Sequence, residues 1–240
     1  MKIVLDAGHG PETPGKRSPD GSLREYQFNS AVARYVAEAL LHNEGVEILM
    51  THADDRVVPL RERTDRANAW KADLFVSIHA NAAGDGASWN SAQGIETYVY
   101  TTRPAAALKL AEAVHRNLIR ATGRPDRGVK TANFHVLRET KMPAILVECG
   151  FMTNREECEL LKSDAYRRKC AEAIVAGIVE TYGLKPKRPV QDTAPDEISS
   201  WAREARDWAV SRNITDGTRP KDTVTREELW TMLYWAIGKK

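Results

Sequence analysis

Over about its first three quarters the 240-residue chain alternates short apolar runs with longer segments whose apolar residues recur at helical spacing. A short apolar run suits a buried strand, whereas the helical spacing suits one face of a helix packed on a sheet. KIVLD reads as a buried strand. EYQFNSAVARYVAEALLHN repeats Tyr26, Val32, Tyr35, Val36, Ala39 and Leu40 on a helical face. VEILMT is then a strand, LRERTDRANAWK a short helix, DLFVSIHA a strand, and GIETYVYT a strand with one wetter face. PAAALKLAEAVHRNLIRATG is a helix with proline in its first turn and glycine past its end. FHVLR and AILVE read as short strands, and NREECELLKS and DAYRRKCAEAIVAGIVETYG close the unit as helices. Such a βαβα order predicts an α/β fold with a twisted, mostly parallel sheet covered by helices on both faces.

Composition narrows the function classes. The 35 basic residues nearly match the 33 acidic ones, leaving a net charge of +2 and no overall field to draw the chain onto nucleic acid. The amino terminus, MKIVLDAGHG, meets Asp6 too soon for the apolar region of a signal peptide. No run is long or apolar enough for a membrane span. Cys149, Cys158 and Cys170 lack metal-type spacing and read as buried free thiols.

In parallel sheets functional groups gather at the carboxyl ends of strands. His9 follows the first strand, His79 ends DLFVSIH, Glu148 ends AILVE, and Glu25 sits at the turn into the first helix. Two imidazoles and two carboxylates suit a zinc hydrolase, in which three side chains bind metal and another carboxylate moves protons. Each residue also has a plainer reading. His9 lies between glycines, and His79 ends an apolar strand. Ser22 to Glu25 fits a capping box that would spend the Glu25 carboxylate on the Ser22 N–H. Glu148, in an apolar run, needs a metal or an ion pair nearby. His42, His52 and His115 read as solvated, with His135 a further candidate for the cleft.

The strings VLDAGHG, LRERTDRANAWKADLFVSIHANA and RGVKTANFHVLRETKMPAILVECGFMTN, with Glu25 before the first helix and the closing helix after them, resemble the zinc-dependent N-acetylmuramoyl-L-alanine amidases of the type-3 amidase family. The resemblance spans residues 1–184. It implies a twisted sheet of about six strands flanked by helices, one Zn2+ ion held by His9, Glu25 and His79, and Glu148 as the catalytic carboxylate. The implied reaction cuts the amide between N-acetylmuramic acid and the L-alanine of the peptidoglycan stem peptide. Asn81, two residues beyond His79, is the expected substrate contact. Asp6 is either an acceptor that orients a ligand or a loop cap, and Trp89 in the loop after His79 either touches substrate or belongs to a plain connection.

After Leu184 the composition changes. Residues 185–196 are proline-rich and charged, as a linker is. Residues 197–240 hold four of the six tryptophans and read as a small α-helical module. Trp201, Ala205 and Trp208 share one helical face. Thr225 and Glu228 cap a second helix bearing Leu229, Leu233 and Ile237. The string resembles a single surface-layer-homology-type repeat, which implies binding to a secondary cell-wall polymer, docking on the first unit or pairing into a homodimer. With no signal peptide, the expectation is synthesis in the bacterial cytoplasm and action on the wall after release, as a phage endolysin rather than an exported autolysin. The other readings are a different zinc peptidase or deacylase, and a non-catalytic wall-binding protein.

Overall fold

A computed structural model describes residues 1–54, 56–187, 198, 200–212, 214, 215, 217 and 229–233. Contacts divide the chain into two units, Met1–Lys187 and Arg188–Lys240.

In the first unit the elements follow as β1 (Lys2–Ala7), α1 (Glu25–Leu40), β2 (Glu47–Met50), α2 (Leu60–Ala69), β3 (Leu74–Asn81) and β4 (Ile95–Val99). Then come α3 (Ala105–Thr122), β5 (Asp126–Thr131), α4 (His135–Arg138), β6 (Ala144–Phe151), α5 (Arg155–Lys162) and α6 (Asp164–Tyr182). Six strands form one sheet in the order β2-β1-β3-β6-β4-β5. All neighbouring pairs are parallel except β4 with β6.

The pleat sends alternate side chains to opposite faces. One face carries Ile3, Leu5, Leu74, Val76, Ile78, Ile145 and Val147 into the larger core, beneath α1, α3 and α6. Full burial of such a side chain contributes roughly 1.5–3 kcal/mol, so this face supplies most of the stability. Across the sheet Val4, Phe75, Ala144 and Leu146 pack with Ala67 of α2 and with Val136 and Leu137 of α4 in a smaller core. That second layer leaves polar strand ends uncovered, and the site forms there.

Several expectations are corrected. FHVLR is not a strand: His135–Arg138 is the single-turn helix α4, and the sixth strand is DRGVKT, β5. Short apolar runs fit a strand or a buried helical turn equally well, and here Val136 and Leu137 are both buried on the same core. β5 gave no apolar signal because it is an edge strand rich in charge, as edges tend to be. Glu25 does not cap Ser22. The helix begins one residue after Arg24, whose N–H is taken by the Gln27 side chain at 2.9 Å, while the Ser22 N–H goes to Asp20 at 3.0 Å. His115 is not solvated. It lies buried on α3, with Nδ1 3.0 Å from the Thr97 hydroxyl and Nε2 2.8 Å from Asp126, tying the helix to β4 and β5. His52 is half-buried, and His42 is exposed.

Lys185 and Lys187, read as linker, bond through their backbones to Glu44 and His42. The rest of that linker, the Thr225–Glu228 cap and Ile237 lie outside the described residues. In the second unit Trp201 sits in a 3-10 turn, Ser200–Ala202, ahead of α7 (Arg203–Ser211), and not on the helix with Ala205 and Trp208. All three are exposed.

Candidate metal centre

β1 ends at Ala7, and one further bond, from the Gly8 N–H to the Ile78 carbonyl at 3.0 Å, keeps the chain against β3. His9 then adopts a φ of 63°, a left-handed conformation that costs a residue with a Cβ about 1–2 kcal/mol. Its surroundings impose it. Arg63 of α2, fully buried, donates to Asp6 Oδ1 at 2.8 Å, to the Val58 carbonyl at 2.9 Å, and to the carbonyls of Ala7 and His9. A planar guanidinium can satisfy that many acceptors at once; a lysine ammonium cannot match the fork. Gly8 is bare because the His79 ring fills the space: a Cβ there would stand 2.1 Å from His79 Cε1.

Glu25 is the first residue of α1, where unpaired helix N–H groups favour an anion. Its Oε2 lies 3.1 Å from His9 Nε2 and its Oε1 2.8 Å from His79 Nδ1. The Asn29 amide supports the arrangement, donating to Glu25 Oε1 at 3.2 Å and to the Gly8 carbonyl at 3.0 Å. Burial alone would raise the Glu25 pKa, but hydrogen bonds and charge from His79 and His9 outweigh it and hold the carboxyl well below the ordinary range. His79 responds in kind. Burial disfavours its charged form, yet Glu25 raises the ring above the usual imidazole value.

The other His79 nitrogen fixes the tautomer. Ser77 donates its hydroxyl proton to Asp6 Oδ2 at 2.6 Å, so its oxygen accepts from His79 Nε2 at 3.1 Å. Nδ1 is thereby left to bind a cation. Asp6 thus orients a candidate ligand through Ser77 and also anchors Arg63. Its own carboxyl is buried, which raises its pKa, but the Arg63 charge and bonds from Ser77 and Thr51 take it below the ordinary value.

Glu148 stands directly opposite His79 in the β3–β6 ladder and opposite Glu96 in the β4–β6 ladder. Its Oε2 is buried without a hydrogen-bond partner. Burial, reinforced by the charges of Glu25 and Glu96 and opposed by His79, pushes its carboxyl up to about 8. A carboxyl in that state can take and return a proton near neutrality.

His9, His79, Asn81 and Glu148 line a cavity of about 580 Å³, with Glu25 buried beneath the imidazoles. Asn81 reaches it with both ends of its amide engaged, Nδ2 on Glu96 at 3.1 Å and Oδ1 on the Ala82 N–H at 2.8 Å. His135 also lines the cavity. Trp89 instead packs against the core, with the Arg155 guanidinium 4.6 Å from its ring centroid. Cys149 lies buried on the opposite face, its thiol pushed well up by a hydrogen bond with Cys170 and by burial, so it offers no thiolate.

Arg63, Ser77, Asn29 and Glu96 are the supporting residues that sequence reasoning missed. Glu96 had left a trace in the wetter face of GIETYVYT. Buried, it accepts from Arg127, from Lys130 at 2.7 Å, and from Asn81 and Tyr98.

The donor atoms of His9, Glu25 and His79 all lie within 4.8 Å of one another, the one such grouping among the described residues. Comparison with known proteins gives the family. The profile of the N-acetylmuramoyl-L-alanine amidase family matches residues 3–180. The chain is 37% identical over 185 residues to the N-acetylmuramoyl-L-alanine amidase CwlM of Bacillus licheniformis, covering 77% of this chain and 70% of that protein. It is 36% identical over 191 residues to an endolysin of Bacillus phage SPP1, covering 77% and 67%. The catalytic domain of CwlV, an N-acetylmuramoyl-L-alanine amidase from Bacillus (Paenibacillus) polymyxa var. colistinus, superposes with a TM-score of 0.71 at 36% identity, covering 77% of this chain and 99% of that one.

Proposed function

The chain belongs to the N-acetylmuramoyl-L-alanine amidase family, and from that membership we propose that His9, Glu25 and His79 hold one zinc ion while Glu148 moves the protons of amide hydrolysis. The substrate is peptidoglycan, and the bond cut joins the lactyl carbonyl of N-acetylmuramic acid to the nitrogen of L-alanine.

One observation carries the reading. Three donors of the type zinc prefers converge within 4.8 Å, and a carboxylate with an unpartnered buried oxygen stands directly across the ladder from one of them. Two neutral imidazoles and one carboxylate leave a divalent ion a net positive charge and an open position, as hydrolytic zinc sites do. An imidazole binds a metal ion only in its neutral form, so the Glu25 contact that favours the charged ring of His79 would be exchanged for the ion on loading.

When bound, zinc supplies Lewis acidity, which polarises the scissile carbonyl and makes water a competent nucleophile near neutral pH. The rest falls to the chain. Glu148 accepts a proton from the attacking water on its free carboxylate oxygen and delivers it to the alanine nitrogen, a poor leaving group until protonated. The Asp6–Ser77 pair keeps His79 in one tautomer, and Arg63 keeps His9 in its left-handed turn.

Metal analysis joined to digestion of purified peptidoglycan tests this. The expected result is one zinc per chain and new L-alanine amino termini, whose release stops on chelation and resumes with zinc. Cleavage that continues in the metal-stripped protein would overturn the metal assignment.

A further inference from the structure

The smaller core leaves part of its face of the sheet bare. It runs from Val4 and Phe75 to Leu146 and ends at Tyr98 and Tyr100, which are half-buried. Beyond it, on β4 and β5, the same face carries charge. Glu96 stands opposite Glu148 in the β4–β6 ladder, and Lys130 pairs with Tyr98 in the β4–β5 ladder, so all four side chains share one side of the pleat. This strip adjoins the cavity at two points. Asn81 donates to Glu96 at 3.1 Å, and the Phe134 ring meets the Tyr98 ring edge-on at 5.3 Å.

Two cations converge there on one carboxylate. Glu96 Oε1 accepts from Arg127 Nε and from Lys130 Nζ at 2.7 Å. The Glu96 side chain is 4% exposed, whereas those of Lys130 and Arg127 are 39% and 38% exposed. The buried anion thus fixes two cations that still face water, and the Phe151 ring, with its centroid 4.9 Å from the Arg127 guanidinium, steadies one of them further. Neither charge nor donors are spent. A lysine ammonium offers three N–H groups and an arginine five. Among the described residues, the one other acceptor these two side chains meet is the Gln93 carbonyl, 3.5 Å from Arg127 Nη1. Cations held in place with donors to spare suit a carboxylate, through charge-assisted bonds.

The two halves of the substrate differ in charge, and that difference assigns the occupant. On the glycan side the muramic carboxyl is itself spent in the scissile amide, which leaves uncharged hydroxyl and acetamido groups. On the amine side the stem peptide carries free carboxylates, the first of them on the residue after L-alanine. The spacing suits that residue. The β5 backbone lies roughly 10 Å from β6 across β4, and the Lys130 ammonium turns back to Glu96, directly across from Glu148. An extended peptide covers about 3.3–3.6 Å per residue, so a chain leaving the scissile nitrogen reaches these cations within about two residues. We propose that Lys130 and Arg127, fixed on Glu96, bind the first free carboxylate of the stem peptide and select a stem that is acidic at its second residue over one that is amidated there. This rests on the amidase reading of the neighbouring site and deepens it.

Two synthetic muramoyl-peptides that differ only in that group, carboxylate or carboxamide, test the proposal with the zinc-loaded full chain. The wild-type protein is expected to prefer the acid substrate by at least about fivefold in kcat/KM, as befits a charge-assisted pair at a half-exposed site. Raising the ionic strength should shrink that preference. Lys130→Met and Arg127→Gln are each expected to reduce it to within about twofold by raising KM for the acid substrate alone, with zinc content unchanged. In either variant one cation remains to hold Glu96, and Lys130→Arg should keep most of the preference. Calorimetry of the two released peptides on the zinc-loaded protein should show the acid form binding more tightly by the same factor, and decides alone where turnover of the small substrates is too slow to measure. A wild type that treats both forms alike or favours the amide, or variants that slow both substrates equally, would overturn the carboxylate site and leave the amidase reading standing. A wild type that releases no L-alanine amino termini from purified peptidoglycan would remove both.

Discussion

His79 and Glu148 are paired directly across the β3–β6 ladder, on two parallel strands from distant parts of the sequence. Residues so paired point to the same face of the sheet, so the candidate ligand and the candidate proton carrier have their separation set by backbone hydrogen bonds and not by a loop. A one-residue slip would send Glu148 into the larger core and bring Cys149 to the cleft. The irregularity in the ladder falls just after this pair, between His79 and Asn81, where β3 gives way to the loop carrying Trp89.

Replacing Glu148 by Gln keeps the shape of that pair and removes its capacity to carry a proton. The expected outcome is zinc content equal to wild type with kcat reduced by about 10²–10⁴-fold, the range for loss of a general acid–base group. Metal analysis and turnover on purified peptidoglycan, measured on one preparation, check it. Normal turnover in this variant would remove Glu148 from the mechanism; loss of zinc would make it part of the metal site.

Gly8→Ala tests the packing behind His79. The new Cβ would stand 2.1 Å from the ring, far inside contact distance, so the imidazole must move. Because Gly8 also bonds to Ile78 and Asn29 through its backbone, the turn itself cannot retreat freely. Zinc affinity, measured by competition with a chelator, is expected to fall by about 10-fold to 100-fold, as when the groups orienting a ligand are disturbed. Unchanged affinity would show that His79 is not held where Gly8 leaves room.

Part of this site was legible because a polar residue after an apolar run marks where a strand nears water. His79 and Glu148 drew notice that way, yet each kept a plainer reading until the family resemblance was added, and neither ends its strand: β3 runs on to Asn81 and β6 to Phe151. Glu25 was ambiguous for a physical reason. A carboxylate at a helix start serves equally as cap or ligand, and only the shift of the first turn to Arg24 with Gln27 releases it. The strand β5 and the helix α4 were misread together, since an edge strand lacks the apolar alternation that a buried helical turn can imitate. Arg63 stayed hidden because a polar helix gives no sign which of its arginines turns inward; the partner that decides it, Asp6, is distant in sequence.

Arg63 is the most heavily used supporting residue, and truncating it should show this. Arg63→Met leaves Asp6 buried without its cation, which is expected to cost about 3–5 kcal/mol. Arg63→Lys keeps the charge but cannot span Asp6, Ala7, His9 and Val58 together, and should also weaken zinc binding. Denaturant unfolding of Arg63→Met, of Asp6→Asn and of the two combined supplies the cycle. The double variant should be less damaged than the two single effects summed. Full additivity would mean the pair is not coupled.

Acid should unfold the first unit through its depressed carboxylates. Asp6 lies below its ordinary 3.8 because, although burial raises it, the Arg63 charge and bonds from Ser77 and Thr51 prevail. Glu96 falls from 4.5 to about 2, burial again opposing, through Lys130, Tyr98 and Arg127. A carboxyl whose pKa is lower in the folded state leaves the unfolded chain binding more protons, so stability rises with pH through this range. The contribution is complete above about 4.5 and is lost as the pH falls towards 2. Unfolding followed by circular dichroism between pH 6 and pH 2 should therefore show a steep fall below about 4.5. Glu96→Gln, less stable at pH 6, should show a shallower one. An equally steep fall in that variant would place the acid sensitivity elsewhere and leave Glu96 with no electrostatic part in holding β4, β5 and the cleft wall together.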